Sequence, residues 1–163
     1  MSESGTDPVR GRLFLVTGPD AAERLAVASS VARALDRCAL VDGAQVDRML
    51  VSGRVPVGGP LTGELLGQLL LRWSASIAAA ETFLLEGYDA VISDDVQGDR
   101  VEDFLDLAAP ETVHLVVLRH PSLEPATPRW GLWLDGGDLS PEETSTDILD
   151  RLDDARVVTA EPG

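Results

Sequence analysis

Residues Gly18-Pro19-Asp20-Ala21-Ala22-Glu23-Arg24-Leu25 are the stretch of this chain nearest to phosphate chemistry. They follow the apolar run Arg12 to Thr17 and precede apolar residues at helical spacing, a strand, turn and helix in succession. A loop that cradles phosphate in that setting reads G-x-x-x-x-G-K-[ST]. Its glycines let backbone amides approach the anion, its lysine neutralises charge, and its hydroxyl holds magnesium. In this register Gly18 keeps the first position. Glu23 stands at the second glycine and brings a negative charge where phosphate must approach. Arg24 replaces the lysine with a bulkier, differently shaped cation. Leu25 stands at the hydroxyl position and cannot ligate a metal. A plainer account of the same residues is a turn at Gly18 and a glutamate in the first helical turn, where its charge suits the dipole.

Carboxylates form the second group with chemical potential. Asp94 and Asp95 close the short apolar run Ala90 to Ser93, and ligands of doubly wound sheets bind beyond the carboxyl ends of strands. Two carboxylates there can act as acid or base, or hold a divalent cation weakly; they can equally cap loop amides or the next helix. Asp42 ends another short run, Ala39 to Val41, and Asp47 lies five residues on. Asp42, Asp94 and Asp95 are therefore the candidate acid-base residues, and whether any metal belongs with them is left open. His114 alternates with Val113 and Leu115 and reads as a structural side chain. His120 has no serine or cysteine at a spacing that supports nucleophilic catalysis. Cys38, the only cysteine, rules out a disulfide framework and a thiolate metal site, and reads as a small buried hydrophobe.

Alternating elements must position these groups. Helical spacing of Leu25, Val27, Ala28, Val31 and Leu35 predicts a helix over 20–37. Strands follow at 39–41, 90–93 and 113–118, with a weak one at 131–134. Short helices are expected at 45–51 and 101–107. Residues 64–85 read as a long helix, apolar nearly all round and hence substantially buried. The glycines and prolines of 53–63 make a loop. Pro121, Pro125 and Pro128 exclude a helix from 120–129. Ser140-Pro141-Glu142-Glu143 is a capping box with proline at the first helical position, opening a helix to about Leu152. Strands alternating with helices predict an α/β fold, a doubly wound, mainly parallel five-stranded sheet with helices on both faces. One domain is expected over 11–154, between a flexible N-terminus (1–10) and a C-terminal tail (155–163).

The bulk numbers narrow the partners. The chain has 163 residues, 44% hydrophobic and 25% charged, the composition of a globular domain. Its 28 acidic and 13 basic residues give a formal charge of −15, and every basic residue is an arginine. Such a surface repels phosphate backbones and anionic lipid, so neither nucleic acid nor membrane is an expected partner. Met1 to Pro8 lacks the apolar core of a signal peptide, and Arg72 interrupts the longest apolar stretch. A cytoplasmic protein is the expectation.

The segments VDGAQVDRMLVSGRVP (41–56), LRWSASIAAAETFLLEGYDAVISDDV (71–96), VHLVVLRHPSLE (113–124) and GLWLDGGDLSPEETSTDIL (131–149) resemble the small P-loop phosphotransferases of the chloramphenicol phosphotransferase-like group. The resemblance runs from about Arg12 to Leu152 and lies in the ordered succession of segments, SGRVP and GLWLDGGDLSPEET above all. It implies a P-loop kinase fold, with ATP and magnesium held by the loop lysine and hydroxyl. It further implies an acidic base after the second strand and a lid between the fourth and fifth strands that supplies arginines. By the same resemblance an aspartate at Asp94 or Asp95 helps hold magnesium, and Arg54, Arg72 and Trp73 face the acceptor pocket; a solvated loop arginine and a buried aromatic are the bland readings. Ala44 stands where the family has its acidic residue, with Asp42 or Asp47 as possible deputies. Only eleven residues separate Leu118 from Trp130, too few for a helical lid, with Arg119 and Arg129 as remnants. Trp130 and Trp133 are candidates to cover a vacated nucleotide cleft, with a place in the core as the plainer reading for at least one of them.

Phosphoryl transfer is mostly positioning and charge neutralisation, so joint departures in loop, base and lid point to its loss. Three readings follow. The first is a degenerate kinase-fold protein that binds a small molecule or a protein partner, with no cofactor and with a homodimer possible. The second is a repurposed enzyme of small-molecule (natural-product) metabolism, working in the acceptor pocket with Asp42, Asp94 or Asp95. The third is an atypical small-molecule O-phosphotransferase using ATP and magnesium, with Arg24 in place of lysine.

Overall fold

Apolar β-branched and leucine residues without polar alternation demand burial on both faces, and Leu13–Thr17 (β1) is buried at every position. In the computed structural model, which describes residues 9–56, 58–135 and 138–159, β1 is central to a sheet of order β2-β3-β1-β4-β5. Its neighbours are Asp89–Ser93 (β3) on one side and Val113–Arg119 (β4) on the other; Cys38–Asp42 (β2) and Leu132–Asp135 (β5) lie outside them. These five strands are parallel. A sixth, Arg156–Val157 (β6), pairs antiparallel with the start of β4. The segment expected to be a tail therefore belongs to the fold as far as Val157, and Ala155 is fully buried. Residues 1–8 of the expected flexible N-terminus and 160–163 lie outside the described residues. Arg10 pairs with Glu111 at 2.6 Å, so the fold begins before the expected boundary.

Two helices, Ala21–Ala34 (α1) and Pro141–Asp150 (α5), cover one face of the sheet. They are joined by a buried Ser30–Ser145 hydroxyl hydrogen bond of 2.9 Å. On the other face lie Gly63–Leu84 (α3) and Arg100–Ala108 (α4), with Trp73, Ile77, Leu84 and Phe104 in the core. Two short helices, Gly43–Asp47 (α2) and Leu152–Ala155 (α6), complete the set.

Three local expectations are corrected. The helix expected at 45–51 starts two residues earlier and ends at Asp47, because the Asp42 carboxylate accepts from the Ala44 amide at 3.0 Å and fixes the first turn. The long helix has the expected length but is only half covered. Leu71, Phe83 and Leu85 face outward, because α3 has the sheet on one side and no layer beyond it. Cys38 is half-buried, and burial pushes its thiol up to about 11.

Between β4 and β5 the crossover that parallel strands require is made by the irregular segment 120–131, as its prolines imply. At its end Gly131, with φ at +77°, lies against the Leu115 carbonyl, where a side chain would collide.

Candidate functional site

The turn that leads from β1 into α1 is only Gly18-Pro19-Asp20. Gly18 presses against Leu118 of β4, where an added Cβ would lie 3.0 Å from the Leu118 Cβ. Asp20 is the N-cap of α1, and its carboxylate accepts from the Glu23 amide at 3.1 Å. A carboxylate of the chain itself thus fills the positive end of the helix, where an anion would otherwise bind. Glu23 adds a second negative charge in the same turn. No residue from Thr17 to Arg24 has a positive φ, so the alternating backbone of an anion nest is missing there. Arg24 is buried and folds back to donate to the Gly18 carbonyl, which holds its guanidinium against the strand end.

Beyond the carboxyl ends of β2 and β3 the acidic and basic candidates neutralise one another. Asp94 is 1% exposed and receives two hydrogen bonds from Arg72 on α3, at 2.9 and 2.6 Å. Its Oδ1 also accepts from the Asp95 amide at 2.7 Å. The carboxylate packs onto Gly43, which has no room for a side chain. Arg72 reaches Asp47 as well, at 3.8 Å, and Asp47 in turn is paired with Arg54. A buried charge of this kind is tolerable only when paired and hydrogen-bonded, and these four side chains satisfy that condition together.

Asp95 turns the other way, into a cavity of about 300 Å³. Leu61, Leu69 and Trp73 give it an apolar side, while Asp95, Gln97, Asp99, Arg100 and Glu124 give it a polar one. Although Asp95 is exposed as a whole, burial of its carboxyl raises it above the ordinary carboxylate range, partly offset by a 2.6 Å hydrogen bond from Gln97. The segment 120–131 contributes Glu124 to the lining and is fastened to the β3–α4 loop. Glu124 donates its amide to Gln97 at 2.8 Å, and the buried Thr127 hydroxyl accepts from the Gly98 amide at 2.9 Å.

Each candidate from the sequence can now be placed. Asp94, Arg72, Arg54 and Asp47 come together, but with their charges spent on each other. Trp73 is 1% exposed and lines the cavity beside Asp95. Asp42 stands apart as a helix cap. Arg119 and Arg129 both stack on the Trp133 ring, at 5.5 and 4.6 Å, and Arg119 also approaches Asp135 at 3.6 Å. Trp130 does not cover the end of the sheet near Gly18. It lines a separate cavity with Leu105, Ala109 and Val157, and Val157 pairs with the first residue of β4 at the opposite edge. His114 is a structural residue stacked on Phe14 at 4.9 Å, but its Nδ1 has no partner and burial lowers its pKa. His120 is exposed and bonded to Ser122 at 2.8 Å. Sequence reasoning did not single out Asp20, Gln97 or Thr127. Only Asp20 left a signal, a capping-type residue just before a helical pattern.

No protein-family model matches the sequence, and no curated protein matches it. Solved structures do. The APS kinase of Mycobacterium tuberculosis in complex with AMPPNP and APS has a TM-score of 0.68 at 15% identity, covering 90% of this chain and 99% of that one. For the tunicamycin resistance protein of Deinococcus radiodurans the TM-score is 0.63 at 13% identity, covering 94% and 100%. A gluconokinase from Sinorhizobium meliloti 1021 has a TM-score of 0.56 at 16% identity, covering 90% and 93%. Likeness at these identities is likeness of fold: the chain has the P-loop kinase fold, a mainly parallel sheet with helices on both faces.

Proposed function

We propose that this chain is a kinase-fold protein, akin to the chloramphenicol phosphotransferase-like group, that has given up ATP-dependent phosphoryl transfer and binds a small molecule. The observation that carries the reading is the self-occupied turn after β1: the Asp20 carboxylate caps α1, and Arg24 is held on the Gly18 carbonyl. A triphosphate would have to displace a carboxylate, meet Glu23 and recruit a buried guanidinium, with no hydroxyl at Leu25 for magnesium. The Arg72–Asp94 pair supports the same reading, because the carboxylate that would hold a metal already has its cation. Neither ATP nor magnesium is a cofactor on this account. The cavity beside Asp95 favours a small molecule over a protein partner, since at about 300 Å³ it is of small-molecule size and its lining mixes apolar and polar groups.

A second reading, a repurposed enzyme, draws on one feature: the raised Asp95 carboxyl in that cavity suits a general acid or base. Transfer of labelled γ-phosphate from ATP to a panel of small hydroxylated acceptors tests the first reading. No transfer above the protein-free rate is expected; turnover that disappears in Arg24→Ala would sink it.

A further inference from the structure

We infer that His114 is a proton-operated latch on the segment after Ala155: an added proton on its imidazole releases β6 from the edge of β4. This inference stands independently of the small-molecule reading above. β6 pairs with two residues of β4, Val157 opposite Val113 and Arg156 opposite His114. Directly opposed residues of an antiparallel pair point to one face of the sheet, with Cβ atoms about 5 Å apart. Arg156 therefore stands beside the imidazole, which is buried and stacked on Phe14 with ring centroids 4.9 Å apart. The Arg12 guanidinium lies 5.8 Å from the centroid of the same Phe14 ring. The Nδ1 atom of His114 has no hydrogen-bond partner. Once both ring nitrogens carry protons, that N–H is a buried donor without an acceptor.

The charges around the ring leave that cation uncompensated. Burial, Arg12 and Arg156 oppose a proton there, whereas the Leu13 backbone and Asp89 favour it. Asp89, however, already accepts two hydrogen bonds from the Arg12 guanidinium, at 3.2 and 2.8 Å. The helix α6, which packs on β4, carries Asp153 and Asp154, but both are exposed and Asp154 faces Arg151 at 3.5 Å. Like charges directly opposed across a ladder are destabilising, and an imidazolium facing Arg156 is such a pair. The relief that disturbs least is local. β6 is two residues long, and beyond it the Thr159 hydroxyl donates to the Glu111 carbonyl at 3.3 Å. So short an edge pairing opens far more readily than the five parallel strands. Ala155, fully buried, anchors the chain just before β6, so the release ends there. Opening carries Arg156 away and lets water reach the ring. It also draws Val157, Val158 and Thr159 from the cavity that they line with Leu105, Ala109 and Trp130, and bares apolar surface. In the released state the imidazole regains its ordinary pKa of about 6.5, so the latch is closed above that pH and gives way as pH falls below it.

A pH titration of the full chain, followed in its nitrogen-15 correlation spectrum and at the His114 ring protons, tests the latch. As His114 takes up its proton, the Val157 amide and the Trp130 indole signal, assigned by its loss in Trp130→Phe, are expected to shift together. The Leu15 amide of β1 is expected to stay in place. Trypsin reads the same event, since it cleaves the Arg156–Val157 bond only when the strand is free. Relative to a free peptide of residues 150–159, that cleavage should be at least about threefold faster at about pH 5.5 than at about pH 7.5; one linked proton allows at most about tenfold per pH unit. In His114→Gln and in His114→Phe the ratio is expected to be independent of pH. Arg156→Gln removes the charge opposite the ring, and the Val157 shift should shrink in that variant. A His114 titration that leaves Val157 and Trp130 unmoved would overturn the latch. So would a cleavage ratio that rises equally in the His114 variants, or loss of the folded Leu15 signal in step with that of Val157.

Discussion

Arg72 shows how a single side chain decides what this site can be. Its guanidinium makes a two-pronged contact with Asp94 and reaches Asp47, and all three side chains are nearly excluded from water. Removing the cation leaves the buried Asp94 carboxylate without compensation and Asp47 with Arg54 alone. Arg72→Ala is therefore expected to destabilise the fold by about 3–5 kcal/mol, read from chemical denaturation. Arg54→Ala removes the half-exposed partner of the buried Asp47, which keeps only Arg72 at 3.8 Å, and should cost less than Arg72→Ala, about 1–3 kcal/mol. His114 supplies a pH test. Burial lowers its folded-state pKa, so below the unfolded value near 6.5 the unfolded chain binds the extra proton. Stability should fall as pH drops through about 6.5 and level off below the folded pKa. In His114→Phe that part of the acid-side slope should vanish; an unchanged slope would assign it to other groups.

At the scale of elements, what matters is how the 120–131 crossover is held. A helix would hold itself; this segment depends on the Thr127 hydroxyl and Gln97. Thr127→Val leaves the Gly98 amide buried without an acceptor, at about 1–3 kcal/mol. Hydrogen exchange at Gly98 and Glu124 should accelerate in that variant while β1 stays protected; equal exchange would mean that the segment is fixed by other contacts. This crossover also marks the limit of what the sequence discloses. Its three prolines exclude a helix, but nothing local predicts Thr127 meeting Gly98 from 29 residues away. β1 and β4 were legible because apolar runs have one stable place, the middle of a sheet. The outward side of α3 was not, since leucines and alanines all round a helix do not say which layer is missing. β6 is two residues long and exists only because β4 offers it an edge.

For the whole molecule, the proposed reading separates the fold from the chemistry it usually houses. The strand order and the cover of the sheet are those of a P-loop kinase, while Asp20 after β1, Asp94 after β3 and Thr127 in the β4–β5 connection are each engaged by groups of the chain itself. The departures at Glu23, Arg24 and Leu25 were readable from residue types alone. Their consequence, a turn closed by Asp20 and a guanidinium folded back on Gly18, needed three-dimensional neighbours. The surrounding charge of −15 adds a long-range penalty for any polyanion approaching this end of the sheet. No helix among the described residues is long and apolar enough to cross a membrane. The most direct test of the central claim is calorimetric titration of the chain with ATP and with a non-hydrolysable analogue, with and without magnesium. The account predicts no saturable heat with either nucleotide up to about 1 mM, where a dissociation constant corresponds to about −4.1 kcal/mol. Magnesium-dependent, saturable binding that is lost in Arg24→Ala would contradict it.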